Sequence, residues 1–203
     1  MGLTIYYNGV LNSEDSLPEL IEVVKEVAEA HSWKYSTFKK KFPEKSFSKK
    51  GFDSSVYGIC FRPDGCEPVC LSFLSNGHLT SPWMFDFYME KGEKENISTG
   101  LAVKTQYAGA EVHKIIILFL DYLSKKYFRE FTLIDESRYW ETRDEKELHK
   151  NFNYLNNLID SFASTLKSTK KRKGETLEEL IIRAATKVQS KRKIVNRKYK
   201  NRK

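Results

Sequence analysis

The sequence predicts an α+β fold: one domain built on a largely antiparallel sheet of about six strands, covered by two or three helices and followed by a basic tail. Three observations carry this. Several short apolar runs lie between Gly, Pro and Asn turn signals, while longer segments repeat their apolar residues at three and four. The content, 40% hydrophobic and 13% aromatic, is enough to fill a core. The charge is also unevenly divided: residues 167–203 hold 15 Lys+Arg and 3 Asp+Glu, leaving 20 and 24 for residues 1–166, so a tail of +12 follows a body of −4. The expected division is therefore a globular domain over 1–166 and a basic appendage over 167–203.

The elements follow in order. Residues 3–11 read as a strand. Ser16 and Glu19 stand at capping-box spacing with Pro18 between them, and Leu17, Leu20, Ile21, Val24, Val27 and Ala28 make one apolar face of a helix ending near His31. A strand over Trp33–Phe38 leads into a lysine-rich connection, Lys39 to Asp53. From Ser55 the pattern is that of a three-stranded meander at 55–88: Val56–Arg62, Pro68–Leu74 and Leu79–Tyr88, joined by turns at Asp64-Gly65 and Asn76-Gly77. A strand over Ser98–Thr105 precedes a helix from Ala110 to Tyr127, apolar nearly all round and so expected in the middle of the fold. Phe131–Ile134 is a short strand. Asp144 then opens a helix to about Leu166 whose seam, Leu148, Phe152, Leu155, Ile159, Phe162 and Leu166, packs on the body in preference to forming a dimer contact. A linker, Ser164 to Gly174, precedes a helix with a Thr176/Glu179 capping box that runs to about Gln189; the residues after it are too charged to pack.

The function classes narrow by elimination. The longest apolar run, residues 115–120, is far below the roughly 20 residues that cross a bilayer, so no transmembrane segment is expected. An odd and sparse set of cysteines, Cys60, Cys66 and Cys70, fits reduced thiols in the cytoplasm, and their spacing is not that of a zinc site. If Asp64-Gly65 is a two-residue turn, Cys60 faces Val69 and Cys70 points to the opposite side of the hairpin. There is no nucleophile elbow, no glycine-rich phosphate loop and no His-Glu-x-x-His, and neither a cofactor nor a metal is implied.

What remains are three groups. The basic residues Lys170, Lys171, Arg172, Lys173, Lys191, Arg192, Lys193, Arg197, Lys198, Lys200, Arg202 and Lys203 suit phosphate contact with RNA or DNA through counterion release, without sequence preference. A dispersed polar set at element ends, Lys104, His113, Asp135, Glu136 and Glu141, is where a small metal-dependent hydrolase or nuclease would place acid–base groups. Against this, Glu111 and His113 lie about 200° apart on a helix, and a histidine there is more commonly a satisfied buried residue. The pair Tyr139-Trp140, set among the charges of DESRYWETRDE, reads as a lid over a core edge or as a contact for a protein partner. The leading expectation is a cytoplasmic binding or adaptor protein whose tail meets nucleic acid; the alternatives are the hydrolase and an immunity or antitoxin-like interaction partner.

Overall fold

The computed structural model describes residues 3–49 and 51–200, with backbone alone for residues 48 and 191–200. The chain divides into two compact units, Met1–Phe152 and Asn153–Lys203. The first holds six strands in two three-stranded antiparallel sheets rather than in one, together with the helices that cover them.

Strand β1 (Thr4–Leu11) is the centre of the first sheet, between β5 (Leu101–Lys104) and β6 (Phe128–Asp135). Its alternation decides its two faces: Ile5 and Tyr7 point into the core, while Tyr6 points outward between Ala102 and Ile134. In the second sheet β3 (Tyr57–Arg62) lies between β2 (Lys34–Thr37) and β4 (Val69–Phe73). The Tyr7 hydroxyl stitches the sheets together, donating to the Cys70 carbonyl and accepting from the Cys70 amide, both at 2.9 Å, so it takes the place of a neighbouring strand on β4. Burial holds this phenol protonated far above the ordinary tyrosine range.

Helix α1 (Ser16–Ala30) lays Leu17, Leu20, Ile21, Val24 and Ala28 against β3 and β2. The anticipated capping box is not formed: the Ser16 hydroxyl donates to Asn12 at 2.6 Å, and Glu19 pairs with Lys126 at 2.7 Å. Helix α3 (Ala110–Tyr127) packs on β6 and α1. It is buried along one side only, with Leu118 and Tyr122 about half exposed.

The meander needs correcting in two places. Its third strand shrinks to a single bridge, Phe73↔Leu79, after the Asn76-Gly77 turn; Pro82 then opens helix α2 (Pro82–Lys91), which Gly92 ends in the left-handed conformation at φ 74°. Proline pre-sets the first helical turn and has no N–H to lend a ladder, so it diverts the chain where period-two apolarity alone would have continued it. The third strand of this sheet is instead β2. The hairpin register also slips by one: Phe61 faces Val69 and Cys60 faces Cys70. Pro63 and Pro68 cannot donate to the ladder, so pairing stops short of the turn and a longer loop sets the register.

Cys60 and Cys70 are accordingly joined by a disulfide, with Cα atoms 4.1 Å apart, and are not the reduced pair expected; Cys66 remains a free, buried thiol. Burial, aided by Glu67, pushes that thiol up to about 12, which leaves it unreactive.

Helix α4 (Tyr139–Thr142) is a single turn held between Arg138 and Arg143, both left-handed. Helix α5 (Glu145–Ser168) starts where predicted, with the Asp144 carboxylate accepting from the amides of Lys146 and Glu147. It crosses the division between the units: Leu148 and Phe152 are core residues of the first. In the second unit, helix α6 (Leu177–Lys200) opens on the Thr176/Glu179 capping box as read from sequence, with reciprocal bonds of 2.8 and 3.2 Å. Its backbone continues as helix beyond Gln189.

Candidate functional site

The polar set read from sequence converges only in part. His113, in the first turn of α3, meets Asp135 at the end of β6: Nε2 lies 3.1 Å from the carboxylate and 2.9 Å from the Ser137 hydroxyl. On its other edge Nδ1 is 2.6 Å from the Thr105 hydroxyl. Asp135 is the hub, accepting from the Ser137 amide (2.8 Å), the Ser137 hydroxyl (2.7 Å) and the Trp140 amide (3.1 Å). Because the one Ser137 proton goes to Asp135, the hydrogen between His113 and these two neighbours belongs on Nε2. On the other edge the Thr105 hydroxyl lies between Nδ1 and the Leu3 carbonyl, to which it donates at 3.2 Å.

This is not a nucleophilic triad. In such a triad the carboxylate holds one imidazole nitrogen and the nucleophile the other, with the nucleophile open to substrate. Here Asp135 and Ser137 crowd the same nitrogen, and His113, Thr105 and Ser137 are fully buried with Asp135 only 3% exposed. Burial pushes the Asp135 carboxyl up, but the bonds from His113 and Ser137 outweigh it and hold it below the ordinary value of 3.8. The cluster fastens the β5–α3 junction, the end of β6, α4 and, through Asn151 on the Ser137 carbonyl at 3.0 Å, the start of α5.

The other members lie elsewhere. Lys104 ends β5, its amide donating to the Glu67 carboxylate at 2.9 Å. Glu136 is exposed and accepts from the Thr4 amide at 2.9 Å. Glu141 is exposed on α4, and Glu111 faces away from His113 to pair with Lys114 and His149. Among the described residues no three His, Cys, Asp or Glu side chains gather as metal ligands. Tyr139 is buried, and Trp140 is half-buried between the Phe131 ring and the Arg143 guanidinium, 4.9 Å from the indole centroid.

A second polar region was not anticipated from sequence. On the side of the second sheet that faces α2, a groove of about 570 Å3 runs past Lys34, Phe38, Arg62, Pro68, Trp83 and Asp86, with Cys60 beneath. Lys34 and Arg62 are directly opposite one another on β2 and β3, and neither has an ion pair among the described residues. Trp83 is 58% exposed. The signal that could have revealed the groove was Ser81-Pro82 as a helix start, which turns Trp83 and Asp86 onto one helical face.

In the second unit, Glu175 binds Arg183 through two bonds of 2.7 Å and accepts from the Arg172 amide at 2.8 Å, contacts that hold its carboxyl down at about 2. Glu179 is engaged by the Thr176 amide. Among the described side chains of this unit Arg183 is the one cation with an ion pair; Lys170, Lys171 and Lys173 are exposed, and so is Arg172, whose charge adds to the lowering of the Glu175 carboxyl. The backbone of Lys191, Arg192, Lys193, Arg197, Lys198 and Lys200 lies in α6, their side chains fall outside the description, and Arg202 and Lys203 lie outside the described residues.

No protein family matches the chain, and comparison with curated proteins and with solved structures gave no match.

Proposed function

We propose that the protein is a non-enzymatic nucleic-acid-binding or adaptor protein whose basic C-terminal segment contacts the phosphate backbone. The observation that carries this reading is the charge of residues 167–203, 15 Lys+Arg against 3 Asp+Glu, with Glu175 and Glu179 already engaged locally. Cations that lack internal partners release condensed counterions when they meet phosphates, which gives strong, salt-sensitive and sequence-tolerant binding. A cytoplasmic setting belongs to the same proposal, and there the Cys60–Cys70 bridge would be reducible.

The hydrolase reading has less support. It needs Lys104, His113, Asp135, Glu136 and Glu141 on one surface, whereas His113 and Asp135 are enclosed and no hydrogen bond or ion pair among the described residues joins them to the other three. The test of the proposal is removal of residues 169–203, beyond the end of α5. Loss of RNA and DNA binding at moderate salt with the circular dichroism of the first unit retained is the expected result; undiminished binding by the truncated chain overturns it.

A further inference from the structure

We propose that the groove between β2, β3 and α2 is a second contact for nucleic acid, specific for a single strand, with Trp83 stacking on a base and Lys34 and Arg62 on the adjoining phosphates. The inference rests on the reading that the protein binds nucleic acid.

Three observations lead to it. The first is electrostatic. Two like charges opposite one another on neighbouring antiparallel strands destabilise a sheet. Lys34 and Arg62 face each other, both exposed, with no ion pair to either among the described residues. Asp86 also lines the groove, yet no ion pair links it to either cation, so the pair remains open to an outside anion.

The second is aromatic. Trp83 stands 58% exposed at the first turn of α2 and makes no ring contact among the described residues, while Trp33 stacks between His31 and Phe61, and Trp140 lies against Phe131. Phe38 lines the same groove from the strand side, so two unstacked rings flank the space. A base offers a π-face to such a ring whatever its identity, which makes stacking tolerant of sequence. A base in a duplex is already stacked on both sides and cannot reach Trp83; this selects a single strand.

The third is continuity. The chain leaves the groove at Phe38 as Lys39-Lys40-Lys41, all exposed, with the Lys39 amine donating to the Ser55 hydroxyl at 2.7 Å, so three further cations follow the groove in sequence. The groove volume, about 570 Å3, lies within the roughly 300–1,000 Å3 typical of ligand sites and suits one or two nucleotides.

The test uses the full chain and a twelve-residue oligothymidylate, with a duplex of equal length as control, followed by tryptophan emission and by fluorescence anisotropy of a labelled strand. The single strand should quench tryptophan emission and the duplex should not, and the quench should vanish in Trp83→Ala. Lys34→Gln with Arg62→Gln should weaken single-strand affinity about tenfold, a loss of about 1.4 kcal/mol. A Trp83→Ala chain that is still quenched to the wild-type extent, or a Lys34/Arg62 double variant that binds within twofold of wild type, overturns the proposal.

A chain with Lys170, Lys171, Arg172 and Lys173 changed to Gln separates the two readings. If it binds more weakly yet is quenched fully at saturation, the groove stands beside the tail. If it binds as wild type and Trp83 is quenched, the tail reading falls and the groove stands. If wild-type binding depends on those cations while Trp83 never responds, the groove proposal is overturned and the tail survives.

Discussion

The cluster around His113 and the groove around Lys34 and Arg62 are both polar, but they are satisfied in opposite ways. In the first, the Asp135 carboxylate, two hydroxyls and an imidazole exchange bonds until each polar atom has a partner, and water is excluded. In the second, two exposed cations stand opposite one another with no ion pair to either among the described residues, and Trp83 beside them is 58% exposed. A buried polar group without a partner costs about 1–3 kcal/mol or more, so enclosed groups must be matched within the chain. Exposed groups are free of that demand and can be left for a ligand. An inventory of acids and histidines therefore points first to the cluster whose polar groups the chain has already matched among themselves.

Substitutions can break or sharpen this contrast. Asp135→Ala removes the hub and leaves the Ser137 and Trp140 amides without their acceptor; it should lower unfolding free energy in urea titration by about 1–3 kcal/mol for each buried donor so left, the largest loss of the set, with nucleic-acid affinity at low temperature unchanged. Replacing Cys60 and Cys70 together by Ser opens a bridge of sequence separation 10 and should lower stability by about 2–3 kcal/mol, read as a shift in urea midpoint. Tyr7→Phe leaves the Cys70 amide and carbonyl without their bridging hydroxyl at a cost of about 1–3 kcal/mol. The smallest change has the opposite sign: Lys34→Ser relieves the like-charge pair and should raise stability by about 0.2–1 kcal/mol while weakening single-strand binding. A network variant that loses stability but keeps binding, beside a groove variant that does the reverse, is the outcome the contrast requires.

Acid stability gives a further test of the cluster. Since the folded Asp135 carboxyl titrates below its ordinary value, its contribution is complete above the ordinary carboxylate range. It is lost as the pH falls through the lowered folded value. Asp135→Asn should flatten that part of the acid limb of the stability profile and leave the profile near neutrality parallel to wild type. An unchanged acid limb would show that Asp135 titrates alike in the folded and unfolded chains.

Much of the framework was legible in the residues. The α1 and α3 spans, β1, and the Thr176/Glu179 capping box follow from local spacing, because helix faces and caps are decided within a few residues. The Ser16/Glu19 box has the same spacing yet does not form, since Asn12 and the distant Lys126 compete for those side chains. The Cys60–Cys70 pairing depended on a loop geometry that the turn residues alone left one register out. Helix α2 was hidden because Trp83, Phe85 and Phe87 alternate with Met84 and Asp86 much as a strand would, and the deciding feature was Pro82. The His113–Asp135 link was readable as a candidate, whereas its bonds to Ser137 and Thr105, 24 and 8 residues away, were not, because they form only once β5 and β6 both pair with β1. The Lys34–Arg62 opposition likewise exists only once β2 is paired with β3.

The salt dependence of single-strand binding tests the central claim, that this chain meets nucleic acid through cations it leaves unpaired. The logarithm of the binding constant is measured against the logarithm of salt concentration for the full chain and for the chain with Lys170, Lys171, Arg172 and Lys173 changed to Gln. Each phosphate contact on a single strand adds about −0.7 to the slope, so the variant should lose about 3 of it and bind more weakly at every salt concentration. Identical slopes and affinities for the two chains would contradict the account.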